Sequence, residues 1–286
     1  MSASAAYADL LYDVSDRVAL ITLNRPDRLN AWTGAMTASM RRAIGDAVAD
    51  PGVRVIVVTG AGRGFCAGAD MNLLQDLGEQ PKGERVDRTH SDDAQAAAMP
   101  NPSGIDVASL YRQRYGYFLA APKPIIAAIN GPCAGLGLVV ALYCDLRFAS
   151  ADAKFTTAFA QRGLIAEHGI SWLLPRLVGS ARALDLLLSA RKFDGAEAER
   201  LGLVNRSFPA EALIGETMAY ARALADTVSP RSTAMMKAQI HASPFQDFNT
   251  AIGIADRLMV ESFASEDFRE GVAHYVEKRA PRFSGR

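Results

Sequence analysis

The sequence predicts a mixed α/β protein that ends in a run of helices. Three observations carry that expectation. Two short runs rich in aliphatic residues, 53–59 and 125–129, read as strands covered on both faces. Each empties into a glycine-rich loop and then a stretch with helical spacing, the rhythm of an α/β core. From residue 210 the periodicity turns helical, through Leu213, Met218, Leu224, Met235, Ile240, Leu258 and Val272.

Taken in order, residues 17–24 alternate as a strand that Arg25-Pro26-Asp27 ends. Residues 33–49 set Met36, Met40, Ile44 and Val48 at helical spacing and stop at Asp50-Pro51-Gly52. The strand at 53–59 runs into Gly60-Ala61-Gly62-Arg63-Gly64, and the strand at 125–129 into Asn130-Gly131-Pro132 and a helix over 136–143. Short strands follow at 145–149 and 154–157, then a helix over 169–177. A boundary between 205 and 209 divides an α/β core, 1–206, from a helical region, 207–286. That region carries more apolar surface than a monomer hides, so an oligomer is expected. Residues 76–104 are polar and rich in Pro and Gly, a variable surface loop that reads equally as a lid or as disorder.

Composition narrows the function. Among 286 residues, 31 Lys and Arg balance 31 Asp and Glu, so no global field favours nucleic acid or an anionic membrane. The most apolar stretch, 124–142, is interrupted by Asn130, Gly131, Pro132, Gly135 and Gly137 and does not read as a membrane span. The first nine residues lack the pattern of a signal peptide. Cys66, Cys133 and Cys144 sit in no metal or redox motif and read as buried thiols of a reducing compartment. The four histidines have no metal-ligand spacing. A cytoplasmic protein without a metal is the expectation.

The chemistry is expected at two loops, Gly64-Phe65-Cys66-Ala67-Gly68-Ala69-Asp70-Met71 and Asn130-Gly131-Pro132-Cys133-Ala134-Gly135-Leu136-Gly137. Small residues let a ligand approach the backbone, and helix starts offer unpaired N–H groups. Two such starts side by side would cradle a developing oxyanion. A dinucleotide loop is disfavoured, because Phe65 replaces the third glycine of that motif.

These two loops in this order resemble the crotonase superfamily, the enoyl-CoA hydratase/isomerase proteins. The likeness extends through Leu23-Asn24-Arg25-Pro26 with Asn30-Ala31, residues 122–137, Cys144-Asp145, Leu174-Pro175-Arg176-Leu177-Val178-Gly179 and the tail Glu266-Asp267-Phe268-Arg269-Glu270-Gly271. It implies a spiral of ββα repeats with a C-terminal helical trimerisation region, and a homotrimer or hexamer. It further implies an oxyanion hole from the N–H groups of Ala69 and Leu136. Arg28, Ala31 and Ala67 match positions at coenzyme A, and Tyr275 and Lys278 match a tail that reaches coenzyme A in a neighbouring subunit. Coenzyme A belongs to the acyl-CoA substrate, and no separate cofactor is implied.

Hydratases of that family carry two glutamates, and their positions here are Val139 and Phe159, which cannot transfer a proton. The acidic candidate is Glu167, at a position that serves as proton carrier in Δ3,Δ2-enoyl-CoA isomerases, with His168 beside it in the substrate pocket. The apolar neighbours of Glu167 would raise its pKa. Helix capping is the alternative role for Glu167, a structural role the alternative for His168, and capping the expectation for Asp70. The sequence therefore favours moving a double bond with one carboxylate. The alternatives are water addition to a 2-enoyl thioester and a catalytically silent CoA-binding scaffold.

Overall fold

The strand expected at 17–24 forms as β2 (Val18–Leu23) in the computed structural model, which describes residues 7–72, 75, 99–112 and 114–286. Beside it runs a strand that the sequence pattern did not signal, β1 (Leu10–Ser15), antiparallel to β2 with Ser15 opposite Val18. Asp16 (φ 49°) and Arg17 (φ 63°) make the turn between them, both left-handed as a two-residue hairpin demands. Next come α1 (Gly34–Ala49), whose start is capped by the Thr33 side chain on Met36 N–H, and β3 (Val55–Gly60).

After the short helices α2 (Val107–Leu110) and α3 (Tyr117–Ala120), the chain forms β4 (Ile125–Ile129), β5 (Cys133–Ala134), α4 (Leu136–Tyr143), β6 (Leu146–Ser150) and β7 (Lys154–Thr156). It continues through α5 (Ile170–Val178), α6 (Ser180–Ser189), β8 (Phe193–Asp194), α7 (Gly195–Leu201) and β9 (Arg206–Phe208). Of the loop expected at 76–104, residues 76–98 lie outside the described residues.

The main sheet has the order β1-β2-β3-β4-β6-β9, parallel from β2 onward. Parallel strands are buried on both faces, which is why β3 and β4 read as unbroken apolar runs. Ile21, Leu23, Ile56, Val58, Ile125 and Ala127 point to the side covered by α1 and α4. Val18, Val55, Val57, Ile126, Ala128 and Phe148 point to the other.

A second, narrow sheet joins β5, β7 and β8, and single bridges between Cys66 and Cys133 and between Trp32 and Ala69 continue it. Each long strand is thus followed by a short extended piece and then helical backbone, four times over. β2 leads to Trp32 and α1, β3 to residues 66–69 and the helical backbone at 71–72, β4 to β5 and α4, and β6 to β7 and α5. This is the expected spiral of ββα units, and its short pieces line up the residues that begin each helix.

The helical end begins with α8 (Leu213–Thr227), which lays Leu213, Met218, Ala221 and Ala225 on the open face of the sheet. The first helix of this region therefore shares the core of the sheet. α9 (Pro230–Ala242) is tied to the strands by the half-buried Asp145, which accepts from Ile125 N–H at 2.8 Å and Lys237 Nζ at 2.7 Å and faces His241 Nε2 at 3.1 Å. Then come α10 (Phe248–Phe263) and α11 (Glu266–Glu277). The chain end returns to α11, where buried Asp267 accepts from Ser229 Oγ at 2.6 Å, Ser284 N–H at 2.8 Å and Gly285 N–H at 3.0 Å.

The packing of the two glycine loops yields a stability prediction. A Cβ added at Gly137 would lie 2.3 Å from the Cys66 carbonyl oxygen, whereas one at Gly215, in α8, meets nothing within 4 Å. Gly137→Ala is expected to destabilise by about 1–3 kcal/mol through overpacking. Gly215→Ala is expected to stabilise by roughly 0.5–1 kcal/mol through helix propensity. Paired urea melts followed by circular dichroism check both directions.

Candidate active site

Two asparagines, Asn30 buried and Asn130 half-buried, build the first loop. Asn30 Oδ1 accepts from Arg25 N–H at 2.8 Å, and its Nδ2 donates to Ala61 O at 3.0 Å and Gly64 O at 2.8 Å. Asn130 Nδ2 donates to Gly60 O at 2.8 Å and Gly62 O at 3.0 Å, while its Oδ1 accepts from Gly60 N–H at 3.2 Å. These side chains satisfy backbone groups that a tight turn leaves unpaired, so the loop is held without regular secondary structure.

The two loops then run side by side. Cys66 N–H donates to Pro132 O and Ala134 N–H to Cys66 O, both at 3.0 Å. In the first loop Trp32 N–H donates to Gly68 O at 2.7 Å and Asp70 N–H to Trp32 O at 3.0 Å. Ala69 N–H, between them, donates to no acceptor among the described residues. In the second, Gly135 N–H donates to Thr156 O at 3.1 Å, and Gly135 takes φ 48° and ψ −118°, a conformation open to glycine. Leu136 opens α4, and its N–H is one of the donors a helix start leaves over, likewise without an acceptor among the described residues. A Cβ at Gly68 would meet Ala134 O at 3.2 Å and Leu136 N at 4.0 Å, which shows how closely the loops approach.

Arg25 braces this region. Its Nη1 donates to Ala31 O at 2.6 Å and to Asp70 Oδ2 at 2.8 Å. That bond holds the Asp70 carboxyl below the usual carboxylate range, while Asp70 Oδ1 caps Asn72 N–H at 3.0 Å. Ala67 N–H donates to Leu29 O at 2.9 Å, so Ala67 and Ala31 flank one turn, with Arg28 exposed on the 3-10 turn Pro26–Arg28. Burial pushes the Cys66 thiol up to about 12, which removes it as a nucleophile at neutral pH.

Val139 and Phe159 are buried in the core cluster that includes Leu136 and against which Ala69, Leu164 and Ala166 pack. Glu167 leads out of that wall with its side chain 32% exposed. Burial raises its pKa, and the Arg114 guanidinium opposes the rise. Of the neighbours in sequence, Ile165 is 79% exposed and gives no cover, whereas Ala166 packs against the core and Ile170 is buried. Glu167 does not cap α5, because Gly169 holds the cap position and no side chain bonds there.

His168 Nε2 stands 3.7 Å from Glu167 Oε2, too far for a hydrogen bond. Burial, helped by Arg114, lowers the His168 pKa to about 4, so the ring is neutral at pH 7. Tyr275 and Lys278 are exposed at the end of α11, which packs on α10; the two loops are built from other segments of the chain.

The loops thus bring Ala31, Ala67, Ala69 and Leu136 together; Val139 and Phe159 lie in the buried core against which Ala69 packs, and Glu167 and His168 stand together just before α5. Reading the sequence missed Arg25, Asn30 and Asn130 as braces, and Arg114 and Tyr143 as neighbours of Glu167. An asparagine abutting a glycine turn was the available signal for one of them, Asn130. Among the described residues no group of three His, Cys, Asp or Glu side chains could hold a metal ion, and no helix is long and apolar enough to cross a membrane.

Residues 13–286 match the enoyl-CoA hydratase/isomerase family. A Rhodobacter capsulatus protein named "Probable enoyl-CoA hydratase" is 36% identical over 289 residues, covering 98% of this chain and 100% of that one. A 1,2-epoxyphenylacetyl-CoA isomerase of Escherichia coli is 33% identical, covering 97% of this chain and 98% of its own. The crystal structure of an enoyl-CoA hydratase subunit from Geobacillus kaustophilus superposes with a TM-score of 0.82 at 32% identity, over 98% of this chain and 99% of that one. The chain belongs to the enoyl-CoA hydratase/isomerase family and is a crotonase-type enzyme.

The neutral His168 sets a pH dependence. Its folded-state pKa lies below the usual 6.5, so the unfolded chain binds the proton first and stability falls as pH drops through that interval. From pH 7 to pH 5 the loss is about 2 kcal/mol. Thermal melts should therefore show the stability difference between the protein and His168→Asn shifting against the protein by that amount, as other groups cancel.

Proposed function

We propose that the enzyme moves the double bond of an enoyl-CoA by a 1,3 proton shift, with Glu167 as the proton carrier. The observation that carries this is a half-buried Glu167 carboxylate of raised proton affinity. Val139 and Phe159, which the family resemblance puts where water addition uses acids, are apolar and buried. In this reading the Ala69 and Leu136 N–H groups hold the thioester oxygen. Glu167 takes a proton from C2 of a 3-enoyl-CoA, and the dienolate's charge rests on that oxygen. The same carboxyl returns the proton at C4, leaving a 2-enoyl-CoA. No cofactor is needed beyond the coenzyme A of the substrate, which Arg28, Ala31 and Ala67 flank. A hole donor of this kind is worth about 2.7–4 kcal/mol of barrier, so the backbone pair carries much of the rate.

The oligomer and location complete the proposal. α10 and α11 expose Phe248, Met259, Val260, Phe263, Val272 and Val276, and association into a trimer or hexamer would cover them. Tyr275 and Lys278, exposed at the same end, would then reach coenzyme A of a neighbouring subunit. We place the enzyme in the cytoplasm, acting on fatty acyl thioesters. Water addition is the second reading, favoured by the name of the Rhodobacter capsulatus relative.

Purified protein and Glu167→Gln are compared on 3-hexenoyl-CoA and 2-hexenoyl-CoA, with products followed by mass and ultraviolet absorbance. The expected result is conversion of 3- to 2-hexenoyl-CoA at unchanged mass, abolished in the variant, with kcat/KM rising with pH through a midpoint above the usual carboxylate range. Gain of one water without isomerisation would establish the second reading instead. Because the folded state raises the Glu167 pKa, stability is lost as pH rises through that value, and neutral Gln escapes the loss. Glu167→Gln is therefore expected to melt no lower than the parent at neutral pH.

A further inference from the structure

Glu167 stands at the head of a four-residue turn. Its carbonyl accepts from Ile170 N–H at 3.1 Å, and both residues between are left-handed, His168 at φ 55° and Gly169 at φ 81°, ψ 5°. Left-handed values at both central residues define a type I′ turn. A side chain at such a φ is sterically unfavourable, and the conformation persists where the surroundings over-determine it.

Those surroundings centre on one side chain. The Tyr143 hydroxyl donates to the His168 carbonyl at 3.1 Å. A Cβ on Gly169 would lie 2.7 Å from the same hydroxyl oxygen, so the position cannot carry a side chain without moving the tyrosine. Tyr115 meets the His168 ring edge-on, with centroids 6.1 Å apart at 77°, and packs on Tyr143 at 5.8 Å. Tyr143 is also the last residue of α4, whose first is Leu136, and every residue of that helix is buried. Eight helical residues make a rod about 10 Å from end to end.

We propose that Tyr143 is a positioning residue: through the His168 carbonyl it sets where the Glu167 carboxylate stands relative to the Leu136 N–H. The inference rests on the reading of Glu167 as proton carrier. One helix offers a free N–H at its first residue and holds the turn of the carboxylate by its last, so the spacing of the two groups is that of a rigid element. Without the hydroxyl the turn loses its anchor and the carboxylate samples positions from which proton transfer is slow. Binding of the coenzyme A portion involves other residues and is unaffected.

Tyr143→Phe keeps the ring and its packing and removes the hydroxyl. Assayed on 3-hexenoyl-CoA beside the parent and Glu167→Gln, it is expected to lose about tenfold in kcat, a misplacement effect, at unchanged KM. Its melting temperature should fall by no more than about 2–4 °C, the effect of one hydrogen bond in a chain of this size. Unchanged kcat, whatever the melting temperature, would overturn the inference, as would a loss that appears in KM. If Glu167→Gln keeps full turnover, the proton-carrier reading fails. If Glu167→Gln is inactive while Tyr143→Phe is fully active, only the positioning role fails.

Discussion

The approach of two backbone segments at Cys66 and Cys133 is the constraint on which the rest of the site depends. Hydrogen bonds join Cys66 to both Pro132 and Ala134, and Gly137 is pressed against the Cys66 carbonyl. No side chain can intervene there, so small residues run through both loops. Asn30 and Asn130 supply from outside the hydrogen bonds that the turns cannot make for themselves. The spiral sets this up, because each short strand lies beside the next and delivers the start of its helix to the same edge.

Around that fixed backbone the electrostatics are local. The chain carries no net charge, and burial sets the protonation of each group near the site. It raises the Cys66 thiol beyond use, holds His168 neutral and raises the proton affinity of Glu167, with Arg114 limiting the last rise. Arg25 and Asp70 are the exception, a paired contact at 2.8 Å that keeps Asp70 ionised and engaged as a brace.

Much of this was legible in the sequence, for identifiable reasons. β3 and β4 announce themselves because strands covered on both faces must be apolar throughout, and the glycine loops because backbone contact excludes side chains. β1 was not legible, since it is an edge strand with exposed Leu11 and Val14, and its hairpin turns on Asp16-Arg17 without the usual glycine. The place of α8 on the sheet was also hidden, because an amphipathic helix does not say which surface it covers. Near the two loops, Glu167 could be singled out only through the family resemblance, which implies a proton carrier at its position. Arg25, Arg114 and Tyr143 could not, as each acts across a separation in sequence that only folding closes.

The donors at 69 and 136 are peptide groups, present whatever residue occupies those positions, provided the glycines around them remain. Side chains facing the reacting carbons are under no such restraint. On the proposed reading, apolar groups can stand at 139 and 159 and a carboxylate at 167 without disturbing the peptide groups that would hold a thioester enolate. In that reading a change of reaction is a redistribution of proton carriers around an unchanged backbone clamp, and it need not pass through a form unable to bind its substrate.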